Sequence, residues 1–278
     1  MGSFDSLSSA ISGLQAQSVA LQYISNNVSN AQTTAYKVTD TNFQDVLDSQ
    51  FAGIQANDGV QAVSKTDTRQ GAIESSTVGT FMAINGVGYF AVERPTTTDS
   101  AGRPSFAGAS PAYTRRGDFD TNGDGYLVNG TGDYLMGTSL DPATGAPTGG
   151  THLLRFNSAS LPADQGALQN LSVSASGKIQ GTFASGNTID LAGIPLASFA
   201  GEQSLGSEDA GTFIPTPQSG AARANAPGQI VANALEASNT DISAQFSTMI
   251  QTQQAYTANT KVVTASNEML QTLTSMIL

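Results

Sequence analysis

The chain has 278 residues and a net charge of −11, with 12% of its residues charged, about half the share usual in globular proteins. That balance excludes a nucleic-acid partner, because there is no basic patch to neutralise phosphates. There is no cysteine, so there is neither a disulfide framework nor a thiolate metal site, and no run is long and apolar enough for membrane insertion.

The first residues lack a basic segment followed by a continuous apolar core, so they do not read as a cleaved signal peptide. Residues 3–30 read as a helix. Phe4, Leu7, Ile11, Leu14, Leu21 and Val28 recur at spacings of three and four, with Ser18 and Ser25 at the skipped positions. The back of this helix is Ser, Gln, Asn and Ala, and Asp5 is the only charged side chain before Lys37. Gly13 weakens the helix by about 1 kcal/mol relative to Ala, which points to close packing there.

Residues 37–75 read as a connector holding Phe43, Val46, Leu47, Phe51 and Ile54, either a short helix or an extended arm. Residues 76–231 change character. Short apolar runs such as 81–84, 89–92, 126–128, 153–156, 179–183 and 188–191 alternate with Gly, Asn, Asp and Pro, which predicts a mainly antiparallel β domain, a sandwich or irregular barrel. Asn85-Gly86, Asn122-Gly123 and Asn129-Gly130 read as hairpin turns, since Asn and Gly accept positive φ. Residues 94–112 and 138–152 read as surface loops, and 201–230 as extended.

The last stretch, 232–278, again reads as helix. Ile242, Met249, Tyr256, Val263, Leu270 and Ile277 stand seven apart, the spacing that keeps one seam toward a partner helix. Asn239-Thr240-Asp241 offers the cap. Only Glu236, Asp241, Lys261 and Glu268 are charged. A helix facing water normally carries Lys and Glu in quantity. Two such helices, at the two ends of one chain, pair most simply with each other as an antiparallel coiled coil. The fold class expected is therefore α+β. Residues 1–36 with 232–278 form a polymerisation domain whose seam residues are those named, 37–75 the connector, and 76–231 the β domain.

The words at both ends resemble one known family. Ser12-Gly13-Leu14-Gln15-Ala16-Gln17, then 24–30 (ISNNVSN) and Thr34-Ala35-Tyr36-Lys37, are similar to the N-terminal signature of bacterial flagellar axial proteins, the rod, hook and hook-associated subunits. Ser238-Asn239-Thr240-Asp241, 254–261 (QAYTANTK) and 267–270 (NEML) resemble that family's other end. In the middle, 70–73, 82–92 and 113–119 look like the start of its β domain. The resemblance implies export through the flagellar type III apparatus without signal cleavage. It also implies polymerisation with copies of itself and with other flagellar axial proteins into a tube, in the hook or basal body. The compact connector and residues 129–137 and 140–145 resemble a short flagellar hook protein, so a structural hook subunit that transmits torque and encloses the export channel is expected. The total length resembles a basal-body rod protein, the alternative. A reading of a different class is a secreted β-rich surface protein or adhesin anchored by its helical ends.

No chemistry is expected. Asp118, Asp120, Asn122 and Gly123 fit the start of a calcium loop, but the twelfth position holds Asn129 instead of Glu and the flanks read as strands, which favours an acidic hairpin. His152 is the only histidine and reads as an exposed loop residue, leaving no material for a catalytic triad or zinc site. Gly86-Val87-Gly88 does not continue as a nucleotide fingerprint. Tyr256 reads as a seam residue, not a ligand contact. No catalytic residue, metal or cofactor is assigned.

Overall fold

The structure, a computed structural model, describes residues 2–47, 57–98, 104–106, 108, 110–141, 146–156, 166–174, 176–208, 211–224 and 226–277. Phe51, Ile54 and residues 142–145 lie outside the described residues. The chain divides into two units, Met1–Ala31 with Lys37–Asp67 and Thr240–Leu278, and Gln32–Tyr36 with Thr68–Asn239. The whole is a mixed α and β protein whose strand pairings among the described residues are antiparallel.

The first unit holds α1 (Gly2–Ser29), α2 (Ile242–Ile277) and a hairpin of β1 (Thr39–Leu47) with β2 (Asn57–Thr66). The stretch that sequence left open between helix and arm is therefore extended and folded back on itself. Asp241 starts α2 as its pattern suggests, with Oδ1 accepting the Ser243 and Ala244 N–H groups at 2.9 and 3.2 Å. The residues before it are not helical, since Ala234–Glu236 form a strand.

In the second unit, outgoing and returning chains zip together. Ile73–Ser75 pairs with Ala234–Glu236, and Met82–Asn85 with Gln229–Ala232. Arg115 fastens this junction. Its Nε donates to Glu236 Oε2 at 2.8 Å, Nη1 to Gly88 O at 3.2 Å, and Nη2 to Ile84 O and Gly86 O at 3.2 and 2.9 Å. Glu236 Oε1 accepts Gly71 N–H at 2.9 Å, and its backbone oxygen accepts Ala35 N–H at 2.7 Å.

Of the remaining strands, Thr97–Thr98 and Pro104–Ser105 pair separately, and the others build one curled sheet, in which five short or branching strands lie off the main path. Its order runs Leu168–Val173, Lys178–Phe183, Thr188–Gly193, Tyr134–Leu140, Tyr89–Glu93, Ala112–Thr114, Thr212–Ile214 and Gly206–Ser207. Phe90, Phe119, Phe183, Ile84, Leu127, Leu135 and Ile179 belong to its main buried core. A smaller cluster joins Tyr89, Tyr113, Phe199 and Phe213 through edge-to-face rings.

Two of the three Asn-Gly dipeptides lie in hairpins. Asn85-Gly86 does not, because Met82–Asn85 spends its hydrogen bonds on the returning strand instead of on Tyr89–Glu93. The other two are the same loop built twice. Asn122 Oδ1 accepts N–H groups from Asp124 and Tyr126, and Asn129 Oδ1 accepts those of Thr131 and Asp133. The residue at positive φ is the second glycine of each loop, Gly125 at 83° and Gly132 at 84°, not the glycine after Asn. The stretch 138–152, expected as a surface loop, is in part strand: Tyr134–Leu140 pairs with Pro147–Leu153, and His152 stands exposed on the second of them.

Candidate assembly interface

Both helices lie in the first unit, and two contacts fix how they meet. Asn27 Nδ2 donates to Gln245 Oε1 at 3.1 Å. Fourteen residues earlier in α1 and fourteen later in α2, a Cβ on Gly13 would stand 2.7 Å from Asn259 Nδ2. The helices therefore run antiparallel in a fixed register.

The line of closest approach is small and polar. Among the described residues, the buried side chains on α1 are Ala10, Ala16, Ala20, Ile24 and Asn27, and on α2 Gln245, Thr252 and Ser266. Gln245, Thr252, Asn259 and Ser266 stand seven apart, so this is a heptad column, displaced from the apolar one. Asn27 also locks the end of α1 to β1, donating to Thr39 O and accepting Thr39 N–H, both at 3.1 Å.

The apolar seam lies beside that line. Leu7, Leu14, Leu21, Val28, Met249, Val263 and Leu270 are half-buried, while Ile11, Ile242 and Tyr256 are exposed. Phe4 and Ile277 belong to the helices, but their side chains lie outside what is described. Further apolar side chains stand in the open on α2: Phe246 at 49%, Ile250 at 56%, Met269 at 53% and Met276 at 78%. Complete burial of such a side chain contributes about 2 kcal/mol, so the helix carries a large unused association energy.

Thr252 is buried in the column toward α1, and the other threonines of α2 are exposed. The hydroxyls of Thr248, Thr252, Thr257, Thr260, Thr264, Thr272 and Thr274 each donate to the carbonyl four residues earlier. A hydroxyl already bonded within its own helix loses little when another surface displaces water. The periodicity exposed the seam but not this column, because a row of Gln, Thr, Asn and Ser carries no hydropathy signal.

The cluster that resembled half a calcium loop is otherwise engaged. Asp118 receives Arg116 through Nε at 3.1 Å and Nη2 at 2.6 Å, and the Gly130 N–H at 3.2 Å. His152 meets Ser139 Oγ at 2.8 Å and Gly150 O at 2.9 Å on an open strand. Among the described residues no helix is long and apolar enough to cross a membrane.

One unit thus carries two long helices with exposed apolar side chains, and the other is β-rich. Three family models match the chain: residues 7–37 one described as flagella basal body rod protein, 83–181 one described as flagellar hook protein FlgE/F/G D1 domain, and 231–276 one described as flagellar basal body rod FlgEFG protein C-terminal. The chain is 28% identical to the flagellar basal-body rod protein FlgG of Bacillus subtilis, over 98% of each chain. With FlgG of Caulobacter vibrioides the identity is 30% over 95% of this chain and 96% of the relative. With the flagellar hook protein FlgE of Brucella melitensis it is 35%, over 59% of this chain and 39% of the relative. The chain belongs to the family of flagellar rod and hook proteins, which are structural subunits and not enzymes.

Proposed function

We propose that the chain is a rod-type axial subunit of the bacterial flagellum, exported without signal cleavage and polymerising with copies of itself and with neighbouring axial proteins. The observation that carries this reading is coverage. Relatives named rod protein align over nearly the whole of both chains, whereas the hook relative retains more than half its length without a counterpart here. Hook assembly, the expectation from the compact connector, keeps the support of the higher identity over its shared 170 residues.

In this reading the paired helices form a coiled-coil wall around the export channel. The apolar side chains left open on α2 and the seam residues of α1 meet those of adjacent copies. The exposed threonines of α2, with their hydroxyls bonded inside the helix, give a neutral surface to which unfolded cargo does not adhere. The β-rich unit faces outward and limits how far neighbouring copies shift. Electron microscopy of a deletion strain tests the assignment. A basal body lacking its rod is the expected result; an intact rod without a hook would reassign the chain.

A further inference from the structure

The repeated Asn-Gly loops form a natural experiment in backbone chemistry. An Asn followed by Gly loses its side-chain amide when the glycine nitrogen attacks the asparagine Cγ. Ammonia leaves, a succinimide ring closes, and water reopens it to aspartate or isoaspartate. The attack needs a glycine N–H that is not held by an acceptor, space above the peptide, and an exposed leaving amide.

The three dipeptides differ in just these respects. Gly86 N–H donates to Gln70 Oε1 at 2.9 Å, while its carbonyl accepts from Arg115 at 2.9 Å, so that peptide is held on both sides. Gly130 N–H donates to Asp118 Oδ2 at 3.2 Å, and the Asn129 side-chain nitrogen is sealed from water. Gly123 N–H has no acceptor among the described residues, Gly123 is exposed, and a Cβ built on it meets nothing within 4 Å. Meanwhile the Asn122 carbonyl accepts two N–H groups, from Asp124 at 3.1 Å and Tyr126 at 2.9 Å. Two N–H donors on one side-chain oxygen polarise that carbonyl toward attack, as an oxyanion hole does. Asn129 has the same two bonds, with the Thr131 hydroxyl a further 2.7 Å partner of its oxygen; beyond that the loops differ in the freedom of the glycine nitrogen and in access to water.

We propose that Asn122 is a site of spontaneous succinimide-mediated deamidation, and that Gln70 and Asp118 guard the other two Asn-Gly pairs by holding the attacking nitrogen. Conversion at Asn122 adds a negative charge between Asp120 and Asp124. The isoaspartate product also lengthens the backbone inside a loop closed by the Asn122 N–H to Tyr126 O bond of 2.9 Å. The inference stands whether or not the chain is a rod subunit.

The test is peptide mapping by mass spectrometry of the purified full-length protein after incubation at mildly alkaline pH. Conversion at Asn122 is expected to run several-fold ahead of that at Asn85 and Asn129. Gly123→Ala, which has open space for its methyl group and no positive φ to oppose it, should slow conversion at Asn122 severalfold. Gln70→Ala, at an exposed position, should accelerate Asn85 and leave Asn122 unchanged. Equal rates at the three sites, a lead by Asn129, or no effect of Gly123→Ala would overturn the proposal.

Discussion

Arg115 and Glu236 form an ion pair 2.8 Å long in which the two side chains are 4% and 0% exposed. A pair so deeply buried is poor evidence of net stability, because desolvating both charges offsets their attraction. Breaking it is another matter. Glu236→Ala leaves a buried guanidinium with carbonyls and the Tyr89 ring as partners but no counter-charge from Glu236, and leaves Gly71 N–H without that acceptor. The expected loss is about 3–5 kcal/mol in chemical denaturation of the β-rich unit. The double variant Arg115→Met/Glu236→Leu should recover only part of this, since the carbonyls of Ile84, Gly86 and Gly88 then lose their donor.

Gly13 can take a methyl group only if Asn259 yields. The atom in the way is the far end of a side chain, which can swing aside. Gly13→Ala also gains about 1 kcal/mol of intrinsic helix propensity. The two effects should nearly cancel, leaving thermal stability and helix content by circular dichroism close to wild type. Gly13→Leu has no such escape and should separate the helices, seen as lost helical signal.

Asn27 ties three elements at once, so its removal is costly. Asn27→Ala leaves Gln245 Oε1 without the donor that it holds in the wild type, along with Thr39 N–H and C=O. An expected destabilisation of about 1–3 kcal/mol follows from unmade buried hydrogen bonds. Hydrogen exchange should show the start of β1 and the last turn of α1 opening together, while the second unit keeps its protection.

These residues also mark the limit of what was legible beforehand. Both helices, the Asp241 cap and strands such as 179–183 and 188–191 follow from local pattern and were readable. The partner of each element was not. Met82–Asn85 bonds to Gln229–Ala232 across the length of the β-rich unit, and no local signal announces a pairing at that separation. Glu236 was visible as a rare charge near the C-terminal helix, yet only the fold brings Arg115 to it. The polar column on α2 is invisible in the sequence because Gln245, Thr252, Asn259 and Ser266 carry no hydropathy contrast with their neighbours.

Asp133 gives the β-rich unit an acid-sensitive anchor. Burial alone would raise its carboxyl, but hydrogen bonds from Arg94, Thr212 and Thr131, with the charge of Arg94, outweigh it and hold the group below the usual carboxylate range. A depressed folded pKa stabilises fully above the unfolded value, and that contribution is lost as pH falls through the folded one. The denaturation midpoint of wild type should therefore fall on acidification below about pH 4, where an unfolded Asp takes up its proton. Asp133→Asn should start less stable and lose the part of this slope that Asp133 supplies; an unchanged slope would remove Asp133 from the account.

The decisive prediction concerns the open face of α2. Phe246 and Ile250 contribute little to the single chain, being about half exposed in it. Replacing both with Ser should therefore leave the circular dichroism spectrum and the thermal transition nearly unchanged. If that face meets neighbouring copies, the same variant should fail to polymerise, because each copy loses two apolar side chains whose remaining exposed halves would contribute about 1 kcal/mol apiece, repeated at every contact of the polymer. Sedimentation and negative-stain imaging at high concentration separate the cases. Filaments of normal length from the double variant would mean that assembly uses another surface, and a variant that unfolds would mean that these side chains support the single chain after all.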